Sequence, residues 1–546
     1  MSAMNGPGPA EAGSGTGTAA PSPAARHQAA EPRTRSPRWV WPAAYAIAAT
    51  LLFFCYLRVS GTQAVTSDGA SMALQAWDML HGNWLLKGWT LTDVSFYTTE
   101  LPEYILVGVF RGLGPQDVHT AAALTYTLLV VLAGLLAKGS KTGKEGLVRV
   151  LIAAGIMIAP QVGPGAFLLL LSPDHTGTGV PLLLIFLLLD RAGRRPWVPA
   201  AAGLLLAWAQ IGDRIVVTIG VLPVVAVCVA RACREAIRRR NIPRECWFEA
   251  ALAVAAVASV AVADVFAKII EHFGGYTTAP LNTQFSPVAD WPTHAMLALK
   301  GILGLYGADV NKSFPTLAAA VDAVHLIGLA LAVIALGLAI WRFFKDNDLV
   351  EQILVVAIIV NVAAYVASVL PNTFWDNREI ASVLPFGAVL AGRLLAGKLI
   401  RARLLPALAV VACCYLFALG YGVTRPQAPA HDQPLADWLS AHHLTDGLGS
   451  YAEGNSVTLD SHGSITLLAP VWRPHAVRPG THEAKAPDFD PARHHANFVV
   501  TTMQDGSGFY IPPAWIINAF GRPAHTYHYG VWTIMTWNKN LLREVR

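Results

Sequence analysis

The chain has 546 residues, 54% of them hydrophobic and 14% charged, with a formal net charge of +5. A water-soluble fold cannot hide that much apolar surface, so the composition points to a membrane protein. The basic residues form short clusters between apolar runs, which argues against a nucleic-acid partner, and the six cysteines show no CxxC spacing that would mark a disulfide framework or a zinc site.

Residues 1–38 are rich in Ala, Gly, Pro and Ser and lack periodic apolar positions. Such a segment buries too little surface to offset the entropy of ordering, and is expected to be a disordered cytoplasmic tail. Residues 39–57 then form an apolar run of about 19 residues, roughly 28 Å as a helix, which matches the hydrocarbon core of a bilayer. Further apolar runs lie near 118–137, 148–171, 179–190, 197–211, 214–231, 247–267, 317–341, 350–370, 379–397 and 404–422. Together they predict an all-α membrane domain over residues 39–422, with about eleven transmembrane helices.

Lys and Arg should concentrate in every second connection of such a chain. Arg26, Arg33, Arg35 and Arg38 precede the first run, and Lys138, Lys141, Lys144 and Arg149 fall between the second and third. Arg191, Arg194 and Arg195 follow the fourth run, while Arg231, Arg234, Arg238, Arg239, Arg240 and Arg244 follow the sixth. Arg342 and Lys345 follow the eighth, and Lys398, Arg401 and Arg403 the tenth. The N-terminus is therefore expected in the cytoplasm, with segments 58–117, 172–177, 210–214, 268–315 and 371–378 on the outer face. The apolar stretch 104–110 is too short to span, and counting it would invert every later loop, so it is expected to lie along the membrane surface.

Residues 423–546 read differently. Runs rich in β-formers at 464–471, 497–502 and 531–537 stand beside helical patterns at 434–442 and 513–519, predicting a small extracytoplasmic α/β domain. No internal repeat, GxGxxG or Walker pattern marks a nucleotide fold. The histidines of this region are scattered and read as surface residues.

Candidate chemistry concentrates in the outer segments. The first reads Ser67-Asp68-Gly69, then Trp77-Asp78, and later Glu100-Leu101-Pro102-Glu103-Tyr104. Asp68 reads two ways, as a helix cap or as a base toward an acceptor hydroxyl. Asp78 reads as a solvated helix residue. The second outer segment carries Ser172-Pro173-Asp174-His175, either a turn or a pair of metal-type ligands. Asp213-Arg214 lies between apolar runs, where charge is costly and either faces a cavity or pairs locally. Trp375-Asp376-Asn377-Arg378-Glu379 precedes Leu384-Pro385, and Arg378 is either an interface anchor or a phosphate ligand. Tyr276, Trp291 and Tyr306 suit stacking on a sugar or polyprenyl chain, or anchoring at the interface.

An acid shortly after the first span, a surface helix behind it, acids in the second outer loop and a late Arg before a Leu-Pro span resemble the GT-C superfamily of glycosyltransferases. The resemblance covers most of the chain. It implies transfer of a sugar from a polyprenyl-phosphate donor to an envelope acceptor, in a bacterial plasma membrane by the Ala, Arg, Gly and Pro bias. It makes Asp68 the base, and Arg378 with Arg214 the ligands of the donor phosphate. Asp174, His175, Asp213 and Glu100 would then shape the site behind the base or bind the acceptor. Gly69 follows Asp68 where the superfamily often carries a second acid, so a divalent metal cofactor stays open. A transporter or flippase, or a non-catalytic envelope assembly protein, is the alternative; such transporters often show paired repeats, which this chain lacks.

Overall fold

The computed structural model describes residues 40–239, 246–280, 284–309, 316–345, 348–502 and 510–546. The expected tail 1–38 lies outside the described residues, as do Arg240 and Arg244 of the basic clusters. The first apolar run forms α1 (Val40–Ser60), whose end is tied down where Ser60 Oγ donates to the Leu170 carbonyl at 2.6 Å.

Two helices follow in the long loop after α1. α2 (Ser67–Leu80) starts after an extended Thr66 and packs a face of small residues inward, among them Ala70, Ala73 and Ala76. After the short strand β1 (Trp89–Leu91), α3 (Leu101–Arg111) begins with Pro102 in its first turn, where the missing N–H costs nothing. α3 buries Leu101, Tyr104 and Val107 yet leaves Leu106, Val109 and Phe110 exposed, Phe110 by 79%. The helix is therefore apolar on its exposed side as well as on its buried one.

The next helices are α4 (Gln116–Lys138), α5 (Gly143–Met157) and α6 (Pro164–Leu170). The run expected as one span over 148–171 is broken, because Pro160 and Gly163-Pro164 interrupt the hydrogen-bond ladder and Gly163 takes φ +94°. α7 (Gly179–Ala192) and α8 (Val198–Gly212) come next, then a π-helical turn at Val217–Val221 that runs into α9 (Leu222–Arg239). α10 (Trp247–His272) leads to strand β2 (Thr277–Thr278) and to α11 (Trp291–Leu305), a helix unforeseen within the outer segment 268–315. α12 (Leu317–Arg342), α13 (Leu349–Ala367), α14 (Val383–Arg401) and α15 (Leu405–Val423) complete the helical domain.

Among the described residues, eight helices are long and apolar enough to cross a membrane: α1, α4, α9 with its preceding turn, α10, and α12 to α15. The chain is thus a multi-pass membrane protein. The three further runs of the sequence count fall on α5, α7 and α8, which have 15, 14 and 15 residues. At about 1.5 Å per residue these are shorter than a hydrocarbon core, so the finer count of eleven rests on them. Packing in lipid depends on close approach instead of water exclusion, and α14 shows how it is achieved. Ala388, Gly392 and Ala396 lie on its buried face, and a methyl group at Gly392 would meet Ala137 and Ala153 of the neighbouring helices at 2.9 and 3.4 Å. Further along α14, Arg393 binds Asp190 at 2.9 Å, Asp348 at 2.6 Å and Glu351 at 3.3 Å, tying α7, α13 and α14 together.

The C-terminal region begins with α16 (Gln433–Ala441), β3 (Asp446–Leu448), α17 (Tyr451–Asp460) and β4 (Thr466–Leu468). Then come the hairpin β5 (Val471–Arg473) and β6 (Ala476–Arg478), the short β7 (Ala484–Lys485), β8 (Phe498–Thr502), α18 (Pro513–Phe520), β9 (His525–Tyr529) and β10 (Trp532–Thr536). Its five-stranded sheet has the order β4-β3-β8-β10-β9, parallel in the first half and antiparallel in the second. The α/β character expected there is present. A second sheet places β1 between β2 and β7, joining three distant parts of the chain. Residues Ile47–Arg546 accordingly pack as one unit.

Candidate active site

The short loop between α6 and α7 sends neighbouring side chains to different partners, with His175 in the left-handed region at φ +56°. Asp174 accepts from Arg378 Nη1 at 2.6 Å and from Ser172 Oγ at 2.7 Å. His175 reaches Asp213 Oδ2 through Nδ1 at 2.9 Å and Glu379 Oε1 through Nε2 at 3.2 Å. The adjacent residues Asp174-His175 and Arg378-Glu379 thus pair across two loops, acid to base each time.

The first group of side chains centres on Arg378, which is 7% exposed and stacks over the Trp375 ring at 3.7 Å. Its Nη2 lies 3.7 Å from Asp68 Oδ2. A residue of the loop after α1, one of the loop after α6 and one of the loop after α13 therefore meet. Asp68 is about a third exposed, at 31%. Burial and the nearby Asp174 raise its pKa, while Arg378 and the Tyr451 hydroxyl act in the opposite direction. Asp68 is not the cap of α2: Thr66 holds that position, and Asp68 sits inside the first turn with its carboxylate turned to other elements. Tyr451, the first residue of α17, places its hydroxyl 2.7 Å from Asp68 Oδ1 and also against Glu483. Neither Tyr451 nor Glu483 stands out in the sequence, since no local pattern distinguishes them.

The second group centres on His175. Burial alone would lower its pKa, but the carboxylates of Glu379 and Asp213 outweigh that and raise it to about 10. Asp213 is held below the usual carboxylate range against burial, by His175, by Thr178 Oγ1 at 2.6 Å and by the Ile215 N–H at 2.9 Å. Glu379 is raised by burial despite the imidazolium beside it. Glu100 is fully buried at the start of α3, with Thr178 Oγ1 3.3 Å from Oε1, and burial and Asp213 push its pKa well up. Among the described residues Glu100 Oε2 has no partner. Arg214 pairs with Asp264, apart from the partners of Arg378. The two arginines expected to share one phosphate thus belong to different groups.

A cleft of about 680 Å³ runs beside the second group, with His175, Asp213, Arg214 and Glu379 in its wall. Ile215, Val217, Phe285, Ala364 and Leu370 add apolar surface from α13 and the turn before α9, and Asp93 and Asp264 add further acids. A separate groove of about 360 Å³ lies between α2 and the C-terminal region, lined by Trp77, Trp89, Asn455, Glu483 and Asp488.

Three expectations are corrected. Asp78 is no solvated helix residue: it accepts from Asn83 Nδ2, from Trp89 Nε1 at 2.8 Å and from Lys485 Nζ at 3.0 Å, fastening α2 to β7. Tyr276 and Tyr306 are buried, Tyr276 against Tyr97 and Tyr306 donating to the Val383 carbonyl, so neither offers a free stacking face. Asp174 and His175 do not converge on a metal position: Asp174 is turned to the Arg378 guanidinium, and the two ring nitrogens of His175 face the carboxylates of Asp213 and Glu379. Among the described residues no group of three or more His, Cys, Asp or Glu side chains is arranged to hold a metal ion.

No family description and no curated protein matches this sequence. Its fold does match solved structures. Apo ArnT from Cupriavidus metallidurans superposes with a TM-score of 0.55 at 12% identity, over 93% of this chain and 99% of that one. The same protein bound to undecaprenyl phosphate gives 0.54 at 11%, over 91% and 98%. The Archaeoglobus fulgidus oligosaccharyltransferase gives 0.49 at 12%, over 88% of this chain and 71% of that one. The chain therefore shares its fold with the ArnT structures, which it matches nearly end to end.

Proposed function

We propose that the chain is an integral membrane glycosyltransferase that moves a sugar from a polyprenyl-phosphate carrier to an extracytoplasmic acceptor. The observation that carries this reading is the meeting of Asp68, Asp174 and Arg378, from three separate loops, next to the His175 group, whose members line a cleft with both charged and apolar walls. A base and a phosphate-neutralising cation are what a glycosyl transfer requires, and a lipid-linked donor needs both surfaces.

In this reading the polyprenyl chain lies along the apolar wall and the phosphate sits against Arg378, with His175 and Arg214 in the wall of the adjoining cleft. The acceptor oxygen attacks the anomeric carbon in a single inverting displacement. Its proton passes to Asp68, the new C–O bond forms, and the bond to the phosphate oxygen breaks with its electron pair leaving on phosphate. Asp174 holds the guanidinium in place. As Asp68 gains the proton its attraction for Arg378 weakens, just when negative charge grows on the departing phosphate. The acceptor enters through the groove beside Trp77, whose half-buried ring suits a sugar.

The basic clusters orient the chain with its N-terminus cytoplasmic, and residues 423–546 with the outer loops beyond the plasma membrane of a bacterium. The eleven-pass count follows if α5, α7 and α8 also span. Membranes carrying the protein, given radiolabelled polyprenyl-phosphate sugars, should move label into an acceptor fraction. Asp68→Asn should lower the rate by about 10²-fold or more, and Arg378→Ala by about as much. Wild-type membranes that move no label from any donor, yet redistribute the labelled lipid between leaflets, would establish transport instead.

A further inference from the structure

We infer that Glu483 is a protonated carboxyl that, through the Tyr451 hydroxyl, holds Asp68 ionised and oriented. The inference rests on the reading of Asp68 as the base. Tyr451 Oη contacts Asp68 Oδ1 at 2.7 Å and Glu483 Oε2 at the same time. A phenol has one hydrogen, so it satisfies one carboxylate only; the other oxygen must bring its own proton. Were both carboxylates charged, one contact would set two lone pairs against each other in a buried site.

The surroundings say which acid carries the proton. Glu483 is 7% exposed. Facing it are Tyr451 of α17, Asp68 and Ser71 of α2, and Asp174 of the loop after α6, with no basic group among those that act on it most strongly. Burial and the two aspartates push its pKa well up. Asp68 is more exposed and has the Arg378 guanidinium beside it, with His482, whose ring packs against Tyr451 at 4.7 Å, adding a favourable field. The proton therefore resides on Glu483, which donates to Tyr451 Oη, and Tyr451 donates to Asp68 Oδ1. That leaves Oδ2, the oxygen turned to Arg378, to take the acceptor's proton.

The backbone secures the arrangement. Glu483 adopts φ +47°, a left-handed conformation that non-glycine residues seldom take and that surrounding structure must enforce. The enforcement comes from the next two residues: Ala484 pairs with Thr90, and Lys485 pairs with Trp89 while its ammonium binds Asp78. Tyr451 and Glu483 are positioning residues, acting through Asp68.

The test uses the full-length protein in detergent or native membranes. Tyr451→Phe should lower kcat by about tenfold or more and leave the KM for donor unchanged, because a hydrogen bond to a charged group is lost. Glu483→Leu should do the same, and Glu483→Gln, whose amide donates without titrating, should restore most of the rate and remove the fall in kcat at alkaline pH. A second readout needs no substrate: the infrared carboxylic-acid C=O band at neutral pH should lose intensity in Glu483→Gln relative to wild type. No such loss, or a Glu483→Gln enzyme as inactive as Asp68→Asn while equally stable to heat, would overturn the inference. If wild type transfers no sugar but the infrared difference is present, the protonated Glu483 stands and the role of Asp68 falls.

Discussion

His175 binds Asp213 and Glu379 through its two ring nitrogens, and its folded pKa of about 10 stands above the ordinary 6.5. A raised histidine pKa means that the folded state binds the proton more tightly than the unfolded one. Its stabilisation is whole below pH 6.5, declines above it and is gone once the pH passes about 10. The melting temperature in detergent should accordingly fall between those limits, and His175→Gln should flatten that decline while lowering the melting temperature at pH 6. An unchanged pH profile in the variant would show that the pair carries no such weight. Asp174, His175 and Arg378 could be singled out in the sequence because charged residues confined to short segments between apolar runs have few structural reasons to be there, and Asp68 by its place shortly after the first run. Tyr451 and Glu483 were not legible: each sits in a polar region where tyrosines and acids are ordinary, and only the folding of α17 and β7 onto α2 gives them meaning.

Among the elements, the apolar runs announced the long helices, and the proline and glycine near 160–164 explain why one run became two. The shorter α5, α7 and α8 could be read as runs but not measured as spans, since hydropathy blurs their ends. α11 escaped notice because it lies in a segment read as loop. The loop carrying Asp174 and His175 is fitted tightly to α3. A Cβ at Gly177 would lie 2.6 Å from Glu100 Cγ, so Gly177→Ala should cost about 1–3 kcal/mol, visible as a lower melting temperature with reduced transfer. Further along α14, Arg393→Ala would strand Asp190, Asp348 and Glu351 without their shared cation. Loss of one partner of a buried ion cluster costs about 3–5 kcal/mol, so this variant should lose folded protein in heat-challenge assays more severely than any change at Arg214, whose partner Asp264 is half exposed.

For the whole molecule, the sequence supplied the two regions and their order, while their mutual fastening through β1, β2 and β7 was invisible because each strand is only two or three residues long. The fastening predicts that a chain ending after Val423 still inserts in membranes but transfers no sugar and yields readily to protease between residues 58 and 117. Resistance there equal to that of the full chain would refute the dependence. The same sheet bears on biosynthesis. Glu483 and β7 follow every span in the chain, so a ribosome adding roughly 5–20 residues per second delivers them seconds after the last helix has entered the bilayer. During that interval Asp68 has neither its tyrosine nor its neighbouring acid, so under the proposed function the nascent protein occupies the membrane before its site is complete.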